Sequence, residues 1–255
     1  MLIAAAVCPH PPLLIPEATG MPGPGGTELD RLRTACHQAA ATVAEESLDL
    51  LVVVGGDPKT PKNPKVPKTG RTAEYPPDAA GSLREFGVPF AAGENSPHRE
   101  DPPVLPLSLT IGKWLLSRAS REVPQAAWWG IASDAATAEC LELGEKLAAL
   151  APRVGMLAMG DGPGCRARGA PGAADPRADR YEAQVAASLA AADPLALAAL
   201  DPRQDGPLFV AGRAAWQVLA GAAGQDAFDA SLSYFAAPFE VTYFVASWRR
   251  RAVTP

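Results

Sequence analysis

The run Ala4-Ala5-Ala6-Val7-Cys8-Pro9-His10-Pro11-Pro12-Leu13-Leu14-Ile15-Pro16-Glu17 carries an apolar strand straight into a turn stiffened by prolines. Leu2 to Val7 is uniformly apolar and too short for a helix, which predicts a strand. Proline fixes its own φ and restricts the residue before it, so His10, between Pro9 and Pro11, presents its imidazole with little backbone freedom. A histidine held still at a strand end suits a metal ligand. It equally suits a strand-to-loop corner in which the ring bonds a backbone carbonyl.

Runs of similar character recur at Leu48 to Val54, Ala126 to Ala132, Val154 to Met159 and Phe239 to Trp248, most of them bounded by Gly, Pro or Asp. Between them, Thr27 to Glu46 repeats Leu29, Leu32, Cys36, Ala39, Ala40 and Val43 at helical spacing, with Thr27 as a cap and acids in the first turn. Leu107 to Ser120, Ala135 to Leu150, Pro176 to Ala192 and Gly212 to Ala223 read the same way. Parallel neighbours need crossover connections, so strands alternating with helices predict an α/β fold. The expectation is a single domain over 1–255 with a central, mostly parallel but mixed sheet flanked by helices on both faces. Phe228 to Phe235 and Phe239 to Trp248, separated by Ala236-Ala237-Pro238, predict an antiparallel hairpin at one side of it. Ligands of such sheets gather at the carboxyl ends of the strands. His10, Asp57 and Asp161 each follow the end of a run.

With 255 residues, 47% of them apolar, the chain can bury a substantial core. A net charge of −5 supplies no global field for nucleic acid or an anionic membrane. Cys8, Cys36, Cys140 and Cys165 are scattered without metal-finger spacing, which predicts reduced thiols and a cytoplasmic protein. Met1 to Val7 is too short and lacks the basic leader of a signal peptide, and no apolar run reaches the ~20 residues of a spanning helix. A small molecule is the expected partner, and a homo-oligomer is compatible with this reading. Four consecutive Pro-Lys-X triplets run from Pro58 to Thr69, and a proline at every third position favours polyproline II. They predict a basic loop over 58–80, read either as solvated chain or as a lid and anion-attracting rim beside Asp57.

Cys8-Pro9-His10-Pro11-Pro12-Leu13-Leu14-Ile15-Pro16 after a first strand resembles the opening of the class III extradiol ring-cleavage dioxygenase catalytic-subunit superfamily, which includes the MEMO-like proteins. Leu105-Pro106-Leu107-Ser108-Leu109, Met159-Gly160-Asp161-Gly162 and Phe239-Glu240-Val241-Thr242-Tyr243-Phe244-Val245 follow in the order of that superfamily's later motifs. The resemblance implies a ferrous ion, or another divalent metal, held by two histidines and a glutamate, with open positions for a catecholate and dioxygen. On that pattern His10 matches the first histidine ligand and Glu240 the carboxylate. Glu240 also reads as the exposed start of a strand.

This chain departs from the pattern twice. Asp57 stands where metal-binding relatives carry a histidine; it reads as a substitute oxygen ligand or as a cap of the Gly55-Gly56-Asp57-Pro58 loop. Relatives also carry an acid/base histidine soon after the Gly-Asp turn, whereas Gly160-Asp161-Gly162-Pro163-Gly164-Cys165 has none. His98 is the available replacement for the proton transfers of ring cleavage, set against a surface-loop histidine in Ser96-Pro97-His98-Arg99-Glu100. Asp161 and Arg166, with glycines around them, are candidate substrate contacts or members of a surface salt-bridge cluster. No phosphate loop, dinucleotide fingerprint or nucleophile elbow is present. Two function classes follow: a non-haem iron dioxygenase for a small aromatic diol, and a MEMO-like non-oxygenase that keeps the fold and binds a ligand or partner. A metal-free hydrolytic or lyase site built on Asp161 is a third.

Overall fold

The computed structural model describes residues 1–19, 27–57, 68–69, 71–92, 103–119, 125–164 and 175–252. Its strands are β1 (Leu2–Cys8), β2 (Leu50–Gly56), β3 (Lys68–Thr69), β4 (Thr72–Tyr75), β5 (Gly81–Ser82), β6 (Ala91–Ala92), β7 (Ala126–Ile131), β8 (Val154–Met159), β9 (Phe228–Ala236) and β10 (Tyr243–Arg250). Its α-helices are α1 (Thr27–Ala44), α2 (Leu107–Ser117), α3 (Thr137–Ala148), α4 (Pro176–Ala191), α5 (Pro194–Ala198), α6 (Asp205–Leu208) and α7 (Arg213–Ala223). Eight strands form one sheet in the order β3-β4-β7-β2-β8-β1-β10-β9. The inner four are mutually parallel, and antiparallel strands flank them on both sides. The α/β fold with a mixed, centrally parallel sheet is therefore as expected from the strand and helix alternation. Among the described residues no helix is long and apolar enough to cross a membrane.

The inner strands are apolar throughout because both of their faces are covered. Along β2, Leu50, Val52 and Val54 enter one core while Leu51 and Val53 enter the other. In β8, Val154, Met156 and Ala158 alternate with Leu157 and Met159 in the same way. The first core is closed by α3, α4 and α7, the second by α1 and α2. This two-sided burial erases the period-2 polar alternation that would otherwise mark a strand.

Chain direction across the sheet decides where a site can form. After β1 and after β2 the chain leaves to the face of α1 and α2, whereas after β8, which lies between them, it leaves to the face of α4. The carboxyl ends of β1, β8 and β2 thus bracket a topological switch point, where open α/β sheets characteristically bind ligands.

Two sequence expectations change here. The segment 58–80 was expected to be one basic loop, but β3 and β4 lie within it as strands of the main sheet, and Ala73, Tyr75 and Ala79 are buried. Residues 58–67, the core of the Pro-Lys repeat, lie outside the described residues. The expected hairpin forms, with β9 paired antiparallel to β10, but β10 begins at Tyr243, so Phe239 to Thr242 belong to the turn.

Helices α3 and α7 pack closely because both offer glycine at the crossing. A Cβ on Gly144 would lie 2.0 Å from the Val218 carbonyl oxygen, and one on Gly221 would lie 2.1 Å from the Leu141 carbonyl oxygen. Backbone cannot yield as a flexible side chain can, so overpacking should cost about 1–3 kcal/mol or more. Gly144→Ala should lower the thermal midpoint by about 2–4 °C for each kcal/mol lost, as read by a calorimetric melt.

Candidate functional site

Three candidate residues stand at consecutive strand ends: His10 after β1, Asp161 after β8 and Asp57 after β2. The β1–β8 ladder continues one step past the strands, with the Gly160 N–H donating to the Cys8 carbonyl at 2.9 Å. Asp161 then turns back on His10, whose backbone N–H donates to Asp161 Oδ1 at 2.7 Å. His10 Nδ1 lies 3.5 Å from the same oxygen, and both side chains are largely buried, at 11% and 16% exposure. Among the described residues Nδ1 has no hydrogen-bond partner, and it is shielded from solvent. The ring thus faces a carboxylate at electrostatic rather than bonded distance, and it does not cap a backbone carbonyl.

The turn after His10 is pinned from its far side. Arg33, reaching from α1, donates through Nε to the Leu14 carbonyl at 3.0 Å and through Nη2 to the Leu13 carbonyl at 2.8 Å. Prolines limit the backbone here, but the guanidinium and the Asp161 carboxylate locate it.

The chain beyond β8 is held on both sides. Ala211 N–H donates to the Asp161 carbonyl at 3.1 Å, and Gly164 N–H to the Leu208 carbonyl at 3.0 Å. Gly162 and Pro163 exchange backbone bonds with Thr242 at 2.8 and 2.9 Å. Gly160 is required by close approach, since a Cβ there would come within 2.4 Å of Gly212 Cα. The negative charge of Asp161, after burial itself, holds the nearby Tyr243 phenol in its protonated form.

Asp57 is engaged elsewhere. Its backbone N–H donates to the Ile131 carbonyl at 2.8 Å, and its Oδ2 accepts from the Tyr75 hydroxyl at 2.7 Å. A Cβ on Gly130 would sit 2.9 Å from Asp57 Cβ. Its carboxylate therefore lies against β7 and β4, on the side of β2 away from β8 and β1. Burial, then the bond to Asp57, raises the Tyr75 phenol well above its ordinary range, so it remains the donor.

Glu240 corrects the sequence reading most clearly. It opens no strand but sits exposed in the hairpin turn, with φ of 61° and its N–H donating to the Ala237 carbonyl at 3.3 Å. Among the described residues no three His, Cys, Asp or Glu side chains are grouped so as to hold a metal ion. The expected ligands His10, Asp57 and Glu240 are therefore not brought together as one three-ligand group. His98, Arg166 and Cys165 lie outside the described residues. Further along the chain, Asp175 caps α4 by accepting from the Arg177 N–H at 2.9 Å and pairs with that guanidinium, which holds its carboxyl down at about 2.

Sequence reasoning missed a buried charge network behind the site. Arg213, with its side chain fully buried, donates from Nε to Asp205 Oδ2 at 2.5 Å, from Nη1 to Gln217 Oε1 at 2.7 Å and from Nη2 to the Ser133 carbonyl at 2.6 Å. The available clue was an arginine opening an apolar helix with glutamine four residues on, one turn along the same face. Asp205 Oδ1 and the Tyr181 hydroxyl are buried in this region without hydrogen-bond partners among the described residues.

No family model matches the sequence, and no curated protein matches it. Among solved structures, the chain is similar to the crystal structure of an uncharacterized protein, JW3007, from Escherichia coli K12. The two share 15% identity at a TM-score of 0.48, over 97% of this chain and 99% of that one.

Burial outweighs the ion pair at Asp205 and raises its carboxyl from 3.8 to about 6. Between those values the folded chain keeps a proton that the unfolded chain has released. This group therefore favours folding at the acid end, and its contribution fades as pH rises through about 6. Calorimetric melts of wild type and Asp205→Asn across pH 4 to 7 should show the wild type losing ground relative to the variant as pH rises. Parallel curves would contradict the raised carboxyl.

Proposed function

We propose that this chain is a non-oxygenase, ligand-binding protein on an extradiol-dioxygenase-like frame, with its site at the carboxyl ends of β1 and β8. Its ligand is a small, polar, ring-bearing molecule bound through His10 and Asp161. The observation that carries this reading is the division of the carboxylates. Asp161 alone engages His10, while Asp57 serves Tyr75 and Glu240 stands in an exposed turn.

A carboxylate facing Nδ1 favours the tautomer that carries its proton there, which leaves the Nε2 lone pair to accept from a ligand hydroxyl. Asp161 holds the His10 backbone by a hydrogen bond and faces its imidazole at 3.5 Å, so the backbone has little entropy left to lose on binding. A reducing compartment, the cytoplasm, suits the protein, because Cys8, Cys36 and Cys140 are buried and unpaired. Burial also raises the thiols of Cys36 and Cys140, the latter to about 11, which leaves them poorly reactive.

The dioxygenase alternative requires iron at His10, Asp57 and Glu240, and one set of measurements separates the two. Protein purified without oxygen and supplied with ferrous iron should retain substoichiometric metal. It should consume no oxygen with a panel of catechols beyond the buffer background. In NMR titrations, catechol should shift the His10 ring resonance. Asp161→Ala should weaken that binding by tenfold or more, about 1.4 kcal/mol, while Tyr75→Phe should leave it unchanged. Stoichiometric iron, with oxygen uptake abolished by His10→Ala, Asp57→Ala and Glu240→Ala alike, would establish the dioxygenase instead.

A further inference from the structure

Among the described residues the sheet ends at β9, a nine-residue edge strand, Phe-Asp-Ala-Ser-Leu-Ser-Tyr-Phe-Ala, without proline or lysine. Edge strands expose a row of backbone donors and acceptors, and proteins usually blunt them with charge, proline or a cover. Here the one charge, Asp229, is neutralised by Arg251 at 2.7 Å.

Which groups are open follows from the ladder. Arg251 N–H donates to the Ala227 carbonyl, and Asp229 and Ser231 lie opposite Arg249 and Ser247 in the same register. Antiparallel pairs alternate between bonded and non-bonded. Asp229 and Ser231 therefore bond to β10, while Phe228, Ala230 and Leu232 turn their N–H and C=O outward. Among the described residues these groups have no other backbone partner. The flat stretch stops at Leu232, because Ser233 is an extra residue in a bulge that moves Tyr234 and Ala236 to the opposite core. Between α1 and β9 lies a groove of about 540 Å³ lined by Asp30, Arg31, Thr34, Gln38, Ser233 and Tyr234.

We propose that β9 pairs antiparallel with β9 of a second copy of this chain, on a two-fold axis through Ala230, joining the two sheets edge to edge. The segment is self-complementary in that register. Ala230 faces Ala230, and Phe228 of each copy faces Leu232 of the other, so every outward N–H meets a carbonyl. Those side chains already belong to or pack against the core closed by α4, and pairing extends that core across the axis. On the groove side Asp229 faces Ser231, so no like charges are opposed. Five paired residues a side, Phe228 to Leu232, fall below the roughly 20–30 of a standard interface. The dimer is therefore a weak one that forms with rising concentration.

Sedimentation equilibrium of the full chain should show reversible dimerisation between about 1 µM and 1 mM. Ala230→Pro removes only an N–H that β10 does not use, a position that tolerates proline on an edge. It should preserve the circular dichroism spectrum and weaken the dimer at least about tenfold through the two donors lost at the axis. Independently of any variant, amide exchange at Phe228, Ala230 and Leu232 should slow with concentration, while that at Asp229 and Ser231 stays constant. A monomer at 1 mM, a dimer unaffected in folded Ala230→Pro, or edge amides that exchange equally at both concentrations would overturn the proposal.

Discussion

The bond from His10 N–H to the Asp161 carboxylate is the constraint on which the rest of the site depends. It joins the ends of two neighbouring parallel strands whose chains then part to opposite faces of the sheet. At such a junction the two backbones diverge and leave a cleft, and an unrestrained turn on either side would be free to move. The carboxylate closes one side and Arg33 the other. The backbone that carries the imidazole is consequently fixed by hydrogen bonds to its own N–H and to the carbonyls that follow it.

The same residue connects the strand-end junction to the first core. The Asp161 carbonyl receives Ala211 N–H, two residues before Arg213, and Arg213 is anchored by Asp205 and by the carbonyl that follows β7. A buried guanidinium is costly unless its hydrogen bonds are met. Here four partners, one of them a carboxylate, surround it. The cost is offset, and the arrangement fixes the segment from Asp205 to Arg213 that leans on the Asp161 turn. The burial that raises the Asp205 carboxyl thus belongs to the frame supporting the site rather than to the site itself.

The inner strands and the long helices could be read from the sequence because their signals are local. Apolar runs bounded by Gly or Asp mark Leu50–Gly56 and Val154–Met159, and helical spacing marks Thr27–Ala44. Strands β3, β5 and β6 hold two residues each and have no period to detect. Tyr75 and Asp57 meet across 18 residues of sequence, through a sheet order that no local pattern encodes. Glu240 misled for a different reason. Phe239 and Val241 around it look like strand, but a left-handed φ at Glu240 ends the extended run, and for a residue with a Cβ that conformation signals a turn.

The geometry that a metal centre asks for can be set against where His10, Asp57 and Glu240 stand. A facial ferrous site needs three side chains aimed at one point about 2 Å from each, with two or three positions left open. His10 supplies one direction. Asp57 cannot turn toward it without leaving Tyr75, whose buried hydroxyl would then lose its acceptor, a penalty of about 1–3 kcal/mol. Glu240 would have to re-form its turn. The pairing of His10 with Asp161 needs neither rearrangement, and it stands at the switch point between two parallel strands. The proposed binding of a hydroxyl-bearing ligand asks for those two side chains alone, a smaller demand on the sheet than three converging ligands.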